Sequence, residues 1–153
     1  MRHSEFYFRV ADALAGCQLL EQELRLYIVA ARAAIRRNLP VHIPYRTSED
    51  DCFKKSLGQL IKKFKELSND DELIGELNKF NDERNALAHQ AIVSCMNPDD
   101  ELDSPPYNFK VKQLRGMSSD EWLSKIRIDS DMLRKKVFEA GVELEFDHIS
   151  DAG

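Results

Sequence analysis

Apolar residues recur every three or four positions over four stretches of the chain, at about residues 4–37, 48–67, 70–94 and 118–146. An α-helix turns once every 3.6 residues, so this spacing collects them on one face of each helix. The longest series is Phe6, Val10, Ala13, Cys17, Leu20, Leu24, Tyr27, Ala31 and Ile35. The pattern predicts an all-α fold, a helical bundle of four main helices.

The ends of the predicted helices carry capping signals. Ser4, Ser48, Asn69 and Ser118 can each serve as an N-cap, and acidic residues follow the last three. From about residue 97 to residue 117 the periodicity is lost, and the stretch holds Pro98, Pro105 and Pro106. This stretch predicts a long loop before the last helix.

Length and composition indicate one globular domain over residues 1–153, with 42% apolar and 32% charged residues. The formal charge of −5 argues against a general nucleic-acid coat, although it leaves room for a local basic cleft. The first helix would be roughly 50 Å long at 1.5 Å per residue, which exceeds the width of a small bundle. Part of it is therefore expected to pack on a second subunit, which predicts a homodimer.

The chain begins without an apolar signal-peptide core, and no stretch approaches eighteen consecutive apolar residues. The three cysteines, Cys17, Cys52 and Cys95, are widely spaced and are expected to be reduced thiols. We therefore expect a cytoplasmic protein without a membrane span.

One charged residue interrupts the apolar stripe of the third helix. On a helical wheel with Leu73 at 0° and about 100° per residue, Arg84 falls near 20°, within the stripe that Leu77, Phe80 and Leu87 also occupy. A guanidinium at such a position is costly unless it is paired or opens onto water. Asn85 follows it, and His89 lies one turn beyond Asn85 on the same side.

The segment Arg84-Asn85-Ala86-Leu87-Ala88-His89 resembles the Arg-(four to six residues)-His signature of HEPN domains. The resemblance covers the motif, its helix and the all-helical character of most of the chain. It implies a small helical bundle that pairs as a homodimer. Many HEPN domains are metal-independent ribonucleases, often toxins or defence proteins, with two Arg/His motifs facing each other across the dimer. Others serve as non-catalytic binding or scaffolding modules.

The same pattern occurs a second time, as Arg37-Asn38-Leu39-Pro40-Val41-His42. Pro40 cannot lie inside a helix, so this match straddles a helix end and a loop. The match in the periodic helix is favoured, and Arg37 with His42 stays as the competing pair.

The resemblance implies a metal-independent endoribonuclease in which the RNA 2′-OH attacks the adjacent phosphate. His89 would act as general acid or base, because its ordinary pKa lies near neutral pH. Arg84 would stabilise charge on the phosphate oxygens, and Asn85 would orient His89 or the phosphate. No metal-ligand spacing or phosphate loop is present, so no cofactor is predicted. The partners implied are RNA, a second copy and an antitoxin protein.

Simpler interpretations stay open for Arg84 and for two groups of basic residues. Arg84 can pair with Glu21 or Glu23 on the first helix, in which case the chain is a non-catalytic helical dimer or binding module. The basic end of the first helix, with Arg32, Arg36 and Arg37, either complements the helix dipole or binds phosphate. Five lysines on the second helix form either a solvated face or part of the same phosphate-binding patch: Lys54, Lys55, Lys62, Lys63 and Lys65.

Overall fold

The computed structural model describes residues 2–47, 50–96 and 119–151. Within these ranges the chain forms helices and contains no strand, so the predicted all-α fold is confirmed. The predicted loop at 97–117 lies outside the described residues. The helices are α1 (Arg2–Asn38), α2 (Asp50–Phe53), α3 (Leu57–Leu67), α4 (Asp71–Met96) and α5 (Ser119–Asp151).

The four long helices form a bundle in which α1 and α4 are diagonal neighbours, each flanked by α3 and α5. Helices α1 and α5 run in the same direction, because Arg9 lies against Asp120 and Gly16 lies against Ser130. Helices α3 and α4 form a hairpin across residues 68–70, and Gly58 near the start of α3 faces Asn81 of α4. Beyond Asn81 the later part of α4 therefore has no α3 beside it.

The core is built from the stripes that the periodicity predicts. Almost the whole predicted series of α1 is buried, with Ile35 partly buried at its end. On α5 the apolar residues at helical spacing are also buried or packed against the core: Trp122, Ile126, Leu133, Val137, Ala140 and Leu144. Fully burying one such side chain contributes about 1.5–3 kcal/mol, so this shared core is the main source of stability.

The predicted single helix at 48–67 is wrong, because the chain breaks it between α2 and α3. Ser56 is the N-cap of α3, and it forms a capping box with Gln59. The Arg25 guanidinium of α1 donates to the carbonyls of Cys52 (3.1 Å) and Lys55 (3.2 Å). A side chain from α1 thus satisfies carbonyls that a continuous helix would have used. Phe53, the last residue of α2, is 62% exposed.

Helix ends differ from the predictions in smaller ways. Ser4 is not the N-cap of α1, because the helix already begins at Arg2. Asp70 caps α4 as its side chain accepts a hydrogen bond from the Leu73 amide at 3.1 Å. Helix α5 continues to Asp151, five residues past its predicted end.

Candidate functional site

Arg84 lies on the inner side of α4 and reaches across the bundle towards α1. Its Nη2 is 3.9 Å from Glu21 Oε1, and its Nη1 donates to Asn85 Oδ1 at 3.4 Å. Its Nε is buried and has no hydrogen-bond partner among the described residues. The side chain is 31% exposed, so the guanidinium lies at the edge of the core. Of the two acids considered from the sequence, Glu21 is the one that approaches it.

The Glu21 carboxylate lies close to two arginines. Besides Arg84, its carboxylate lies 3.6 Å from Arg25 Nη2, and its side chain is only 14% exposed. Arg25 is itself held by the backbone carbonyls that precede α3. The carboxylate thereby links α1 to α4 and, through Arg25, to the break before α3. Much of the Arg84 charge is already balanced inside one copy of the chain.

The thiol of Cys17 lies one helical turn before Glu21. Burial raises its pKa from 9.0 to about 11, although the nearby positive charge of Arg84 acts in the opposite direction. A thiol with so high a pKa is almost fully protonated at neutral pH and is a poor nucleophile. Cys17 is therefore a packing residue of this cluster.

Stability is expected to fall at alkaline pH. Burial raises the pKa of Cys17 and Tyr27, so the folded state holds these protons to higher pH than the unfolded chain does. The contribution of Cys17 is complete below about pH 9 and is lost as the pH rises towards 11, whereas that of Tyr27 is lost only above about pH 10. For Cys17 it is on the order of 2 kcal/mol. Urea unfolding at pH 7 and pH 10 measures the loss, and Cys17→Ala should reduce it. An equal loss in the variant would contradict this assignment.

Asn85 and His89 lie on the solvent side of α4. Both are exposed, and the described residues form no hydrogen bond or ion pair with His89. Five residues along an α-helix place His89 about 140° around the axis from Arg84. Within one copy the structure brings Arg84 together with Asn85 and Glu21, and it places His89 on another side of the helix.

The competing pair lies elsewhere. Arg37 is exposed in the last turn of α1, and His42 is exposed in the turn that follows. Between them, Asn38 donates its side-chain amide to the Ala34 carbonyl at 2.9 Å and so closes the end of the helix. This pair sits at a helix end and loop, as its proline indicated.

Two of the basic residues near the end of α1 hold the following segment in place. Arg32 is 7% exposed, and its Nη1 lies 3.4 Å from the Cys52 sulfur. Arg36 donates to the Thr47 carbonyl at 3.2 Å and lies over the Tyr45 ring, 6.0 Å from its centre. Neither the dipole nor the phosphate interpretation anticipated these contacts. Sequence offers no signal for them, because they depend on how the chain folds back on α1.

A second polar cluster joins α4 to α5. Lys125 Nζ lies 3.0 Å from Glu83 and 2.7 Å from Asp129. Burial lowers the pKa of Lys125, but the hydrogen bonds to Asp129 and Glu83 outweigh this and raise it. These residues line one side of an open groove of about 240 Å³ between the two helices. Both carboxylates pair with the lysine, which favours a structural role for this cluster.

The outer side of α1 carries a second apolar pattern, which the sequence analysis missed. Taking about 100° per residue, five positions from Asp12 to Leu26 fall within about 40° of Phe8: Asp12, Ala15, Leu19, Gln22 and Leu26. We call these six residues the outer seam. All six are exposed, and the exposed fractions are 72% for Phe8, 40% for Leu19 and 53% for Leu26. The seam lies opposite the buried face of α1, so this helix is apolar on two opposite sides.

The spacing of the outer seam is that of a coiled coil. Successive members are separated by four, three, four, three and four residues, which is the alternation of a heptad repeat. A stronger core pattern on the same helix hid it, since two apolar faces together blur the periodicity of either one. A search of the sequence for a 3.5-residue period could have found the outer seam.

Other chemistry is sparse in residues 2–47, 50–96 and 119–151. No three His, Cys, Asp or Glu side chains converge there in a way that could hold a metal ion. None of the described helices has both the length and the apolar composition needed to cross a bilayer. No family model, curated protein or solved structure matches the chain.

Proposed function

We propose that this chain is a non-catalytic helical module that works as a homodimer through α1. The observation that carries the proposal is the outer seam, an exposed apolar stripe opposite the buried face of α1. Removing apolar area from water is favourable on either side of a helix, and the bundle covers only one of the two sides of α1. Glu21 already balances much of the Arg84 charge, so the motif does not need a phosphate to do so, which favours a non-catalytic module.

Light scattering at tens of micromolar tests the proposal, with twice the chain mass as the expected result. Leu19→Glu places a charge in the seam and should yield a monomer with an unchanged circular dichroism spectrum. Ile128→Glu is the matched control, because Ile128 is also an exposed apolar residue but lies on α5 outside the seam. A wild-type monomer at this concentration would overturn the proposal.

The second candidate is a metal-independent endoribonuclease of the HEPN type, and one specific observation favours it. The Arg84 Nε atom is buried without a hydrogen-bond partner among the described residues, and the guanidinium touches Glu21 only at 3.9 Å. A buried donor left unsatisfied costs about 1–3 kcal/mol of folding stability, so a functional role would explain why such a group is present. Binding an RNA phosphate would supply one.

In this candidate the second copy packs against α4, because one copy does not bring Arg84 and His89 together. His89 of one copy would exchange protons with RNA held by Arg84 of the other. Incubating the protein with RNA in excess chelator tests it, and the products should carry 2′,3′-cyclic phosphates while DNA stays intact. The two candidates use different faces, so Leu19→Glu should abolish the α1 dimer and leave an α4 dimer in place.

A further inference from the structure

We infer that two copies pair through the outer seam with their α1 helices antiparallel and a two-fold axis at the level of Cys17. The inference rests on the proposed homodimer and adds its interface and its register. It begins from the order of the seam residues. Phe8 and Leu26, Asp12 and Gln22, and Ala15 and Leu19 are three pairs that share one midpoint, residue 17.

A shared midpoint is what a two-fold interface requires, because each residue must meet its counterpart twice. In the antiparallel dimer Phe8 meets Leu26 of the second copy, and Ala15 meets Leu19. The small side chain of Ala15 lets the helices approach closely at the centre, and the longer side chains close the ends. Each of the six seam residues of one copy is then paired with a seam residue of the other copy, which gives six layers along the interface.

The polar layer selects the antiparallel arrangement. The Asp12 carboxylate already lies 3.8 Å from Arg127 Nε of its own chain, and its side chain is 48% exposed. In the antiparallel dimer it meets Gln22 of the other copy, so it can also accept a hydrogen bond from a side-chain amide. In a parallel pair, Asp12 would face Asp12, and two carboxylates would repel each other. A polar residue within an apolar seam sets register and orientation in coiled coils in this way.

The groove beside Leu26 adds a second contact. It lies between α1 and α5, measures about 250 Å³, and is lined on its apolar side by Leu26, Ala30, Phe138 and Val142. Phe8 of the second copy arrives at this level, because it pairs with Leu26. A closed apolar cavity of about 150 Å³ holds a benzene ring, so the groove has room for a phenyl side chain.

The buried area fits a stable dimer. An aromatic side chain buries on the order of 150 Å², so two Phe8 rings supply about a quarter of the roughly 1,200 Å² at the lower limit of specific interfaces. The four apolar layers of the seam and Phe138 at the groove contribute further area. A small hydrophilic partner could not cover both the seam and the groove, whereas a second α1 with its Phe8 covers both.

Disulfide cross-linking tests the register. In a background with Cys95→Ser, and with Cys17 and Cys52 left in place because they are buried, one preparation carries Ala15→Cys and another Leu19→Cys. Mixing and oxidising the two should give a covalent dimer joining one chain of each type. Each variant alone should not cross-link, since like residues are offset by four positions, beyond the roughly 7 Å that a disulfide spans.

Each outcome decides a separate point. Cross-linking of each variant with itself would show parallel helices and overturn the register. A dimer by light scattering that never cross-links in the mixture would overturn this interface while the proposed homodimer stands. A monomer at every concentration would overturn both. RNA is absent from the experiment, so ribonuclease activity does not affect the result.

Discussion

Replacing Gly16 by alanine is expected to destabilise the protein, although alanine is the better helix former. Gly16 packs against α5, and a Cβ atom there would overlap the Oγ of Ser130 and lie 3.0 Å from Arg127 Nη1. Ser130 is 1% exposed, and its hydroxyl donates to the Arg127 carbonyl at 2.7 Å, so it has little freedom to move. Overpacking of this kind costs about 1–3 kcal/mol, which exceeds the gain in helix propensity of about 1 kcal/mol.

Urea unfolding of Gly16→Ala, Ser130→Ala and the double variant measures the effect. Removing the hydroxyl should make room for the new methyl group, so alanine at position 16 should cost little in the Ser130→Ala background. Gly75→Ala is the matched control, because Gly75 is exposed in α4 and nothing lies within 4 Å of its added Cβ. That variant should gain about 0.5–1 kcal/mol. A stabilising Gly16→Ala would show that the two helices are farther apart than described.

Most of the core could be predicted from sequence, and the reason is periodicity. Leu20 and Leu24 of α1, and Trp122 and Ile126 of α5, are fully buried as their spacing predicted. This information is local, since a helix buries whichever face is apolar wherever it packs. The order of the helices around the bundle is not local, and nothing in the spacing gave it.

The break at residues 54–56 shows where local information misleads. Apolar spacing continues from Phe53 to Leu57, so periodicity alone joins α2 to α3. The signal against it was Ser56 with Gln59 three residues later, a capping box that went unrecognised. The second cause, Arg25 taking the carbonyls of the break, is a contact between residues 27 and 30 positions apart. No local pattern contains that contact.

The sequence also predicted one part of the candidate site and missed another. The sequence located Arg84 on the apolar stripe and suggested Glu21 as one of two acids that could pair with it, and the 3.9 Å contact is present. It did not reveal that Arg25 shares the same carboxylate. Helical geometry already separated His89 from Arg84 by about 140°, and the described structure supplies no bend that would bring them together.

Arg84→Met separates a structural arginine from a functional one. Methionine fills the apolar stripe, removes the unsatisfied Nε and leaves Glu21 paired with Arg25 at 3.6 Å. Arg84 lies at the edge of the core and its Nε is unsatisfied, and replacing such a group by an apolar side chain of similar length is often neutral or stabilising. The free energy of unfolding should therefore stay the same or rise by about 1 kcal/mol. A loss of more than about 2 kcal/mol would show that the arginine holds α4 to α1.

If the protein cleaves RNA, Arg84→Met should affect the cleavage rate much more than it affects stability. Removing a donor that stabilises developing charge lowers turnover by about 10²–10³-fold, and His89→Ala should lower it by about 10²-fold or more. His42→Ala serves as the control and should leave cleavage unchanged, because His42 belongs to the exposed turn after α1. A stable Arg84→Met protein that has lost RNA cleavage would mean that the arginine is retained for function at some cost in stability. Unchanged stability with no cleavage by the wild type would favour the homodimeric module, in which Arg84 has no chemical task.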